Sequence, residues 1–502
     1  MAQSPPEVDV TLLLEGSYPF VRGGVSAWVH ELIVGMPELQ FSLVYLGAQK
    51  RASDALRYEL PRNVQTLQCH YLMDSQSTSK PVVTDGDPAY FSEAAELHDW
   101  FRSPEGDPQP RWMEQILLQS DRPEGACERD FFHSKAAWQY LSQSYLTHCP
   151  QSSFQAYFWS LRNMHAPLFR LARMARSVAP TRSFHAVSTG YAGLLGAMLK
   201  QRTGRPLVLT EHGIYTKERK IELQSLYLRE QQGLLGQRDE AGMPYANQSW
   251  VHLFEGIGRL VYAAADPIVS LYESNRQRQI QDGAASARTR VVPNGVDVER
   301  FKPLRAKRQA QIPQVLGLIG RIVPIKDIKT FIRTIGVLSA EMPHVQGWLI
   351  GPEEEDPGYV AECKALVQSL RLDKYIRFLG FQKIDDLMPQ LGLVVLTSIS
   401  EAFPLVIGES HASGIPVLAT DVGACRELIE GKEAEDRSLG RAGAVVPIAD
   451  HNALAQAAGQ LLNDPARWHA AQQAGIQRVE RYYRQSNVLE SYRDIYRSVG
   501  VN

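Results

Sequence analysis

Two carboxylates stand eight residues apart in the segment Ser400-Glu401-Ala402-Phe403-Pro404-Leu405-Val406-Ile407-Gly408-Glu409. An apolar strand-like run, residues 391–397, leads into it. Leu405, Val406 and Ile407, followed by the small Ala412, Ser413 and Gly414, predict a short helix before a further strand over 415–419. Glu401 is then expected near the carboxyl end of a strand, and Glu409 about two turns into a helix. Pro404 suits the first turn of such a helix, whose free N–H groups and positive dipole end attract phosphate. One carboxylate can take the hydroxyls of a ribose and the other those of a sugar, with a diphosphate between them. The same spacing also arises on solvated helix faces, so the neighbouring residues carry weight.

Upstream, Leu316-Gly317-Leu318-Ile319-Gly320-Arg321 is a glycine-punctuated strand ending in a cation, and Lys326 follows five residues later. Two cations at the end of a parallel strand can hold a diphosphate leaving group, work that a divalent metal does elsewhere. Near the start of the chain, a buried-strand run over 8–14 passes through Gly23-Gly24 into a helix over 26–34. Such a loop lets backbone approach a ligand and aims a helix N-terminus at it, although an ordinary strand-to-helix turn reads the same way. A third candidate is His212, in Glu211-His212-Gly213 at the carboxyl end of the strand 206–210, where parallel sheets bind ligands. Tyr215, Lys217, Glu218 and Arg219 follow on a polar segment that could line an acceptor side.

The elements that must position these groups alternate as strand and helix. A first set of strands is expected at 8–14, 41–46, 183–188, 206–210, 267–270 and 290–292, and a second at 315–319, 345–350, 376–378, 394–397 and 416–419. Their short apolar runs suit parallel sheets covered by helices on both faces. Residues of about 50–180 break the alternation and read as a helical insert. It holds Trp100, Trp112, Trp138 and Trp159, four of the eight tryptophans, either as the core of a subdomain or as a docking face. The turn Pro293-Asn294-Gly295-Val296-Asp297 closes the first domain, residues 300–313 read as a linker, and residues 468–499 as one long amphipathic helical tail.

With 502 residues and 44% hydrophobic content the chain can fill two or three cores. A formal net charge of −2 supplies no field to recruit nucleic acid. Five cysteines, odd in number and without a C-x-x-C pair, fit reduced thiols and no structural zinc. Neither a leader pattern nor an apolar run of the roughly 18 residues needed to cross a bilayer is present, so a cytoplasmic location is expected.

Gly320-Arg321 with Lys326, Pro293-Asn294-Gly295-Val296-Asp297, and Glu401 with Glu409 resemble the marks of the retaining glycosyltransferases of family four. The run Leu13-Leu14-Glu15-Gly16-Ser17-Tyr18-Pro19-Phe20-Val21-Arg22-Gly23-Gly24-Val25-Ser26-Ala27-Trp28-Val29 is similar to the soluble glycosyltransferases of Pel exopolysaccharide assembly. Relatives carry glycines where this chain has Ala402 and Pro404. The resemblance implies the α/β GT-B fold: two Rossmann-like, doubly wound parallel-sheet domains facing an interdomain cleft, with a helical insertion in the N-terminal one. It divides the chain into an acceptor domain (1–300, insert about 50–180), a nucleotide-sugar donor domain (301–475) and a terminal helix (476–502) that crosses back to the first domain.

It further implies transfer of a hexose or N-acetylhexosamine from a UDP-sugar (UDP-glucose, UDP-GlcNAc or UDP-GalNAc) to a growing polysaccharide, without a metal or other cofactor. Arg321, Lys326, Glu401 and His212 are the expected catalytic groups. Gly23, Gly24, Arg321, Lys326, Glu401, Phe403, Pro404, Leu405 and Glu409 are the expected nucleotide-sugar contacts, with Glu409 on the ribose and Glu401 on the sugar. The polymer product implies recruitment to the inner membrane by integral-membrane proteins of an exopolysaccharide synthase complex, and the insert is the candidate docking surface. A non-catalytic sugar-nucleotide scaffold or sensor, and a GT-B epimerase or phosphorylase, remain the alternatives.

Overall fold

The computed structural model describes residues 7–50, 55–73, 83–109, 111–114, 126–151, 153–223 and 245–501; parts of the expected insert, and the N-terminal residues 1–6, lie outside this range. It divides into two compact units, Met1–Val291 with Arg493–Asn502, and Val292–Tyr492.

The first unit is built on seven parallel strands. In chain order they are β1 (Val8–Glu15), β2 (Phe41–Gly47), β3 (Val64–Tyr71), β4 (Thr181–Ala186), β5 (Leu207–Glu211), β6 (Ile268–Ser270) and β7 (Thr289–Val291), and in space they run β3-β2-β1-β4-β5-β6-β7. Parallel pairing buries the central strands on both faces, which is why Val8, Val10 and Leu12 to Leu14 of β1 and most of β2 are apolar. Leu12 is in register with Leu43 on one side and His185 on the other. Strand β3 corrects the sequence expectation, which placed these residues in the insert and off the sheet. As an edge strand it is only half covered, so Gln65, Thr66, Gln68 and His70 hide it from a reading based on apolar runs.

Between β3 and β4 lie the helices Pro88–Arg102, Ala126–His133, Lys135–His148 and Phe154–Met174. Asp87 caps the first by accepting from the Ala89 N–H, with Pro88 in its first turn, and Ser134 and Ser153 cap the last two. The four tryptophans divide evenly. Trp100 and Trp112 join the main core with ring centroids 4.8 Å apart, whereas Trp138 and Trp159 are 55% and 50% exposed. A small separate core of Phe91, Phe131, Ala136, Ala137 and Phe169 holds the helices together.

The second unit has six parallel strands, β8 (Val315–Ile319), β9 (Gln346–Ile350), β10 (Ile376–Gly380), β11 (Leu393–Leu396), β12 (Val417–Thr420) and β13 (Gly443–Val446), ordered β10-β9-β8-β11-β12-β13. Only β13, four residues that begin with a glycine, escaped the sequence reading. The single tail helix expected over 468–499 is two, Pro465–Tyr482 and Gln485–Ser498. The break is stitched by the 293–297 turn: the Val296 N–H donates to the Tyr483 carbonyl at 2.8 Å and the Gln485 N–H to the Val296 carbonyl at 3.0 Å. A Cβ on Gly295 would lie 2.6 Å from the Gln485 Cα, so this stitch needs glycine. Residues of the expected linker are likewise structured, as the helix Val298–Phe301 and the 3₁₀ turns Lys302–Lys307.

Arg478, on the first tail helix, is fully buried. Its Nε donates to Asp436 at 2.6 Å, Nη1 to the Ile429 carbonyl at 2.7 Å, and Nη2 to the carbonyls of Asp436 and Gly440 at 2.9 and 2.8 Å. A buried guanidinium is tolerable only with its donors satisfied in this way.

Candidate functional site

In the second unit the expected residues gather at the carboxyl ends of β8 and β11. The turn Pro324–Lys326 follows β8, and Asp327, in the left-handed conformation (φ 44°), starts the helix Ile328–Glu341 by accepting from the Thr330 N–H at 3.3 Å and its hydroxyl at 2.6 Å. The turn is laced to the loop after β11. Thr397 Oγ1 donates to the Lys326 carbonyl at 2.7 Å, and the Ile399 N–H to the Ile325 carbonyl at 2.9 Å. Thr420 Oγ1, at the end of β12, donates to the Ser398 carbonyl at 2.6 Å. The loop is held from its far side by the Ala424 N–H donating to the Ala402 carbonyl at 2.9 Å; a Cβ on Gly423, whose φ is 53°, would sit 2.3 Å from the Glu401 carbonyl oxygen.

This lacing brings Lys326 Nζ against Glu401 Oε1, and Ser398 Oγ donates to the same oxygen at 2.7 Å. Glu401 lies in the loop beyond β11 rather than at the strand end. Both charges are half-buried, so each depends on the other until an additional charged group arrives. Arg321 is differently placed: its Nη1 lies 2.6 and 2.7 Å from the two oxygens of Glu355, with both side chains about half exposed. An exposed pair of this kind contributes only ~0–1 kcal/mol, so exchanging Glu355 for a phosphate costs little.

The helix Leu405–Ala412 begins directly after Pro404, with no side-chain cap on its first N–H groups. Phe403 packs on Tyr483 with ring centroids 5.9 Å apart. Glu409 sits one turn into the helix, not two, because the helix starts at Leu405 and ends after eight residues. Burial raises the Glu409 pKa, opposed by the charge of Arg300, which is itself held by Asp385 at 2.8 Å. The carboxylate is therefore poised to gain from hydroxyl or N–H donors.

In the first unit, the carboxyl ends of β1 and β5 carry the carboxylates of Glu15 and Glu211, and His212 follows β5 directly. Glu211 Oε1 accepts from Thr189 Oγ1 at 2.9 Å and the Tyr215 N–H at 3.1 Å; Oε2 accepts from the Tyr262 hydroxyl at 2.7 Å and Gln279 Nε2 at 3.0 Å. Glu15 accepts from the Tyr215 hydroxyl at 2.9 Å and the Ala192 N–H at 3.2 Å. Burial raises the pKa of both. These are pins between elements distant in sequence, and no local pattern announces them. Tyr215 and Arg219, expected along an acceptor side, point inward to this network, since Arg219 Nε donates to the Tyr215 oxygen at 3.1 Å; Lys217 and Glu218 are exposed.

His212 is the exception. It is 8% exposed and packs edge-on against Trp28 with centroids 4.5 Å apart, yet neither ring nitrogen has a hydrogen-bond partner among the described residues. Burial pulls its pKa down to about 4, so near pH 7 it is a neutral ring offering one donor and one acceptor. Gly23 and Gly24 open the helix Gly24–Val34, which has no side-chain cap. A Cβ built on either glycine meets nothing within 4 Å, so the fold itself does not call for glycine there. Among the described residues no three His, Cys, Asp or Glu side chains gather as a metal site, and no helix is long and apolar enough to cross a membrane.

Residues 8–287 match the family model described as a domain of unknown function (DUF3492), and residues 313–464 match the model for glycosyl transferases group 1. A D-inositol 3-phosphate glycosyltransferase of Kineococcus radiotolerans is 30% identical over 223 residues, 41% of this chain and 51% of that protein. The chain spans about half the length of several curated relatives it matches. Two solved structures share the fold across nearly the whole chain. Anabaena HepE in complex with UDP-glucose has a TM-score of 0.58, 17% identity and coverage of 97% of this chain and 99% of its own. Sucrose-phosphate synthase of Thermosynechococcus elongatus has a TM-score of 0.57, 18% identity and coverage of 98% and 99%. The chain therefore belongs to the DUF3492 family through more than half of its length, its residues 313–464 match the group 1 glycosyl transferases, and its fold is GT-B.

Proposed function

We propose that the chain is a retaining glycosyltransferase that moves a hexose or N-acetylhexosamine from a UDP-sugar to a growing exopolysaccharide of the Pel kind. The observation that carries the transferase reading is the Lys326–Glu401–Ser398 cluster, laced between β8 and β11 and lying next to the uncapped start of the helix Leu405–Ala412. Lys326 and Arg321 take the diphosphate, displacing the exposed Glu355 from Arg321, and the helix N-terminus adds N–H donors. Glu401 receives the sugar hydroxyls and Glu409 the ribose hydroxyls; Phe403, Pro404 and Leu405 shape the loop between them. Gly23 and Gly24 allow backbone to approach the ligand, and the neutral His212 offers its two ring nitrogens to sugar hydroxyls.

In the reaction, the bond from the anomeric carbon to the diphosphate oxygen breaks while the acceptor oxygen bonds that carbon from the same side, which retains configuration. The acceptor's proton passes to the leaving phosphate, so neither glutamate acts as a nucleophile. Arg321 and Lys326 hold the charge that grows on the diphosphate, work this reading assigns to no metal. UDP as the carrier is supported by the UDP-glucose bound to HepE, and the Pel-like product by the residue run 13–29. With such a product, the protein works at the cytoplasmic side of the inner membrane, held by integral-membrane partners.

Purified protein incubated with labelled UDP-glucose, UDP-GlcNAc and UDP-GalNAc tests this, with and without oligosaccharide acceptor. Acceptor-dependent release of UDP from one donor is expected. Glu409→Ala should weaken UDP binding by about tenfold. Tight UDP-sugar binding without turnover under any acceptor condition would instead mark a scaffold.

A further inference from the structure

The helical insertion carries a groove of about 480 Å³ that the transferase reading leaves unused. Its floor is aromatic, made by Phe131, Phe132, Trp138 and Phe158, with Val83 at the edge. The aromatic surface continues along the helix Phe154–Met174: Trp138 meets Phe154 at 5.6 Å between centroids, and Phe158 meets the half-exposed Trp159 at 5.3 Å. Among the described residues no carboxylate lines the groove, while His133, Lys135 and Arg162 do.

Arg162 is the informative member. Its guanidinium lies 4.4 Å over the Phe132 ring and is partly buried, and it has no ion pair within 4.0 Å among the described residues. The acid whose charge it feels, Glu128, is spent on Arg173, and Lys135 is matched by Asp85 at 2.9 Å. A partly desolvated cation over an aromatic ring, without a carboxylate of its own among the described residues, has its hydrogen-bonding edge left for an incoming anion.

We infer that this groove is a docking site for an acidic, apolar segment of a partner protein, which seats an aromatic or leucine side chain on the Phe131–Trp138–Phe158 floor and a carboxylate on Arg162. The volume lies within the range that takes discrete side chains. Helix-in-groove recognition of this type places an acidic residue beside apolar anchors at helical spacing. A lipid surface is disfavoured because vesicle binding draws on several free cations around an apolar patch, whereas here Lys135 is already paired. The inference stands independently of the donor site, since all its residues lie on the insertion.

The test pans a displayed random-peptide library on the full chain. Enriched peptides are expected to carry Asp or Glu within one helical turn of an aromatic or leucine residue. A synthetic copy of one should bind the wild type and lose about tenfold or more in affinity on Arg162→Glu and on Trp138→Ser. Exchanging its acid for lysine should restore binding to Arg162→Glu. Both positions reach solvent, and unchanged melting temperatures confirm that the variants fold. No enrichment, or peptides that bind the variants as well as wild type, overturns the inference. So does co-sedimentation with phosphatidylglycerol vesicles that depends on Trp138 and Arg162 while peptides fail, which assigns the groove to lipid. A dimer in sedimentation velocity that Trp138→Ser dissolves would assign it to a second copy of the chain.

Discussion

The carboxyl ends of the two sheets hold similar residue types in opposite states. In the first unit the Glu211 carboxylate is saturated by four fixed donors, Glu15 is held by two, and His212 has no partner among the described residues. In the second unit Lys326 and Glu401 hold one another, with Ser398 on the same Glu401 oxygen, and Arg321 is held by an exposed glutamate. A saturated carboxylate is architecture, because a ligand cannot compete with four fixed donors. A pairwise or orphan polar group is free to change partners, and that freedom marks it for binding. Charge at a sheet end does not separate the two; the four fixed donors on both oxygens of Glu211, against the two groups sharing one oxygen of Glu401, do.

The largest effect that would break this distinction is on stability. Glu211→Ala leaves four groups of the first unit without their acceptor, and urea unfolding should show a loss of about 3 to 5 kcal/mol. A loss within the range of ordinary surface changes would show that saturation says nothing about role. Next comes turnover. Lys326→Ala should fold normally and lower kcat by about a hundredfold, and Arg321→Ala by about tenfold, since Lys326 is the less exposed and more tightly placed cation. Equal loss of stability in both units' variants would erase the contrast.

A smaller effect isolates His212. Its folded pKa, about 4, lies below the ordinary value of 6.5, so the unfolded chain binds the extra proton between those limits. The stability this neutral ring contributes is present above pH 6.5 and is lost as the pH falls toward 4. His212→Gln should therefore show a shallower fall of melting temperature with acid across that window, together with weaker donor binding at pH 7.5; an unchanged slope would contradict a buried neutral ring. The smallest expectation is no change at all. UDP binding by calorimetry should be the same with and without EDTA, because Arg321 and Lys326 carry the diphosphate charge, and its loss in EDTA would move that role to a cation.

Legibility in the sequence followed the same division. The buried parallel strands were readable because burial on both faces makes them continuous apolar runs, and the site segments were readable because they follow such strands directly. Strand β3 was missed because an edge needs only one covered face, and β13 because four residues beginning with Gly443 are too short to show a period. The role of Glu211 could not be read, since Tyr262 and Gln279 come from helices far along the chain. The openness of Arg162 depends on Glu128 having chosen Arg173, a choice among neighbours that only packing makes.

Arg478 has a consequence for the order in which the second unit is made. Its charge can leave water only when the carbonyls of Ile429, Asp436 and Gly440 are already in position, and those positions in turn need Arg478 to neutralise Asp436. The residue comes late in the chain, after the last strand of its sheet. A nascent second unit therefore cannot close while residue 478 is still inside the ribosome, and the sheet strands made before it must wait partly exposed until that residue emerges.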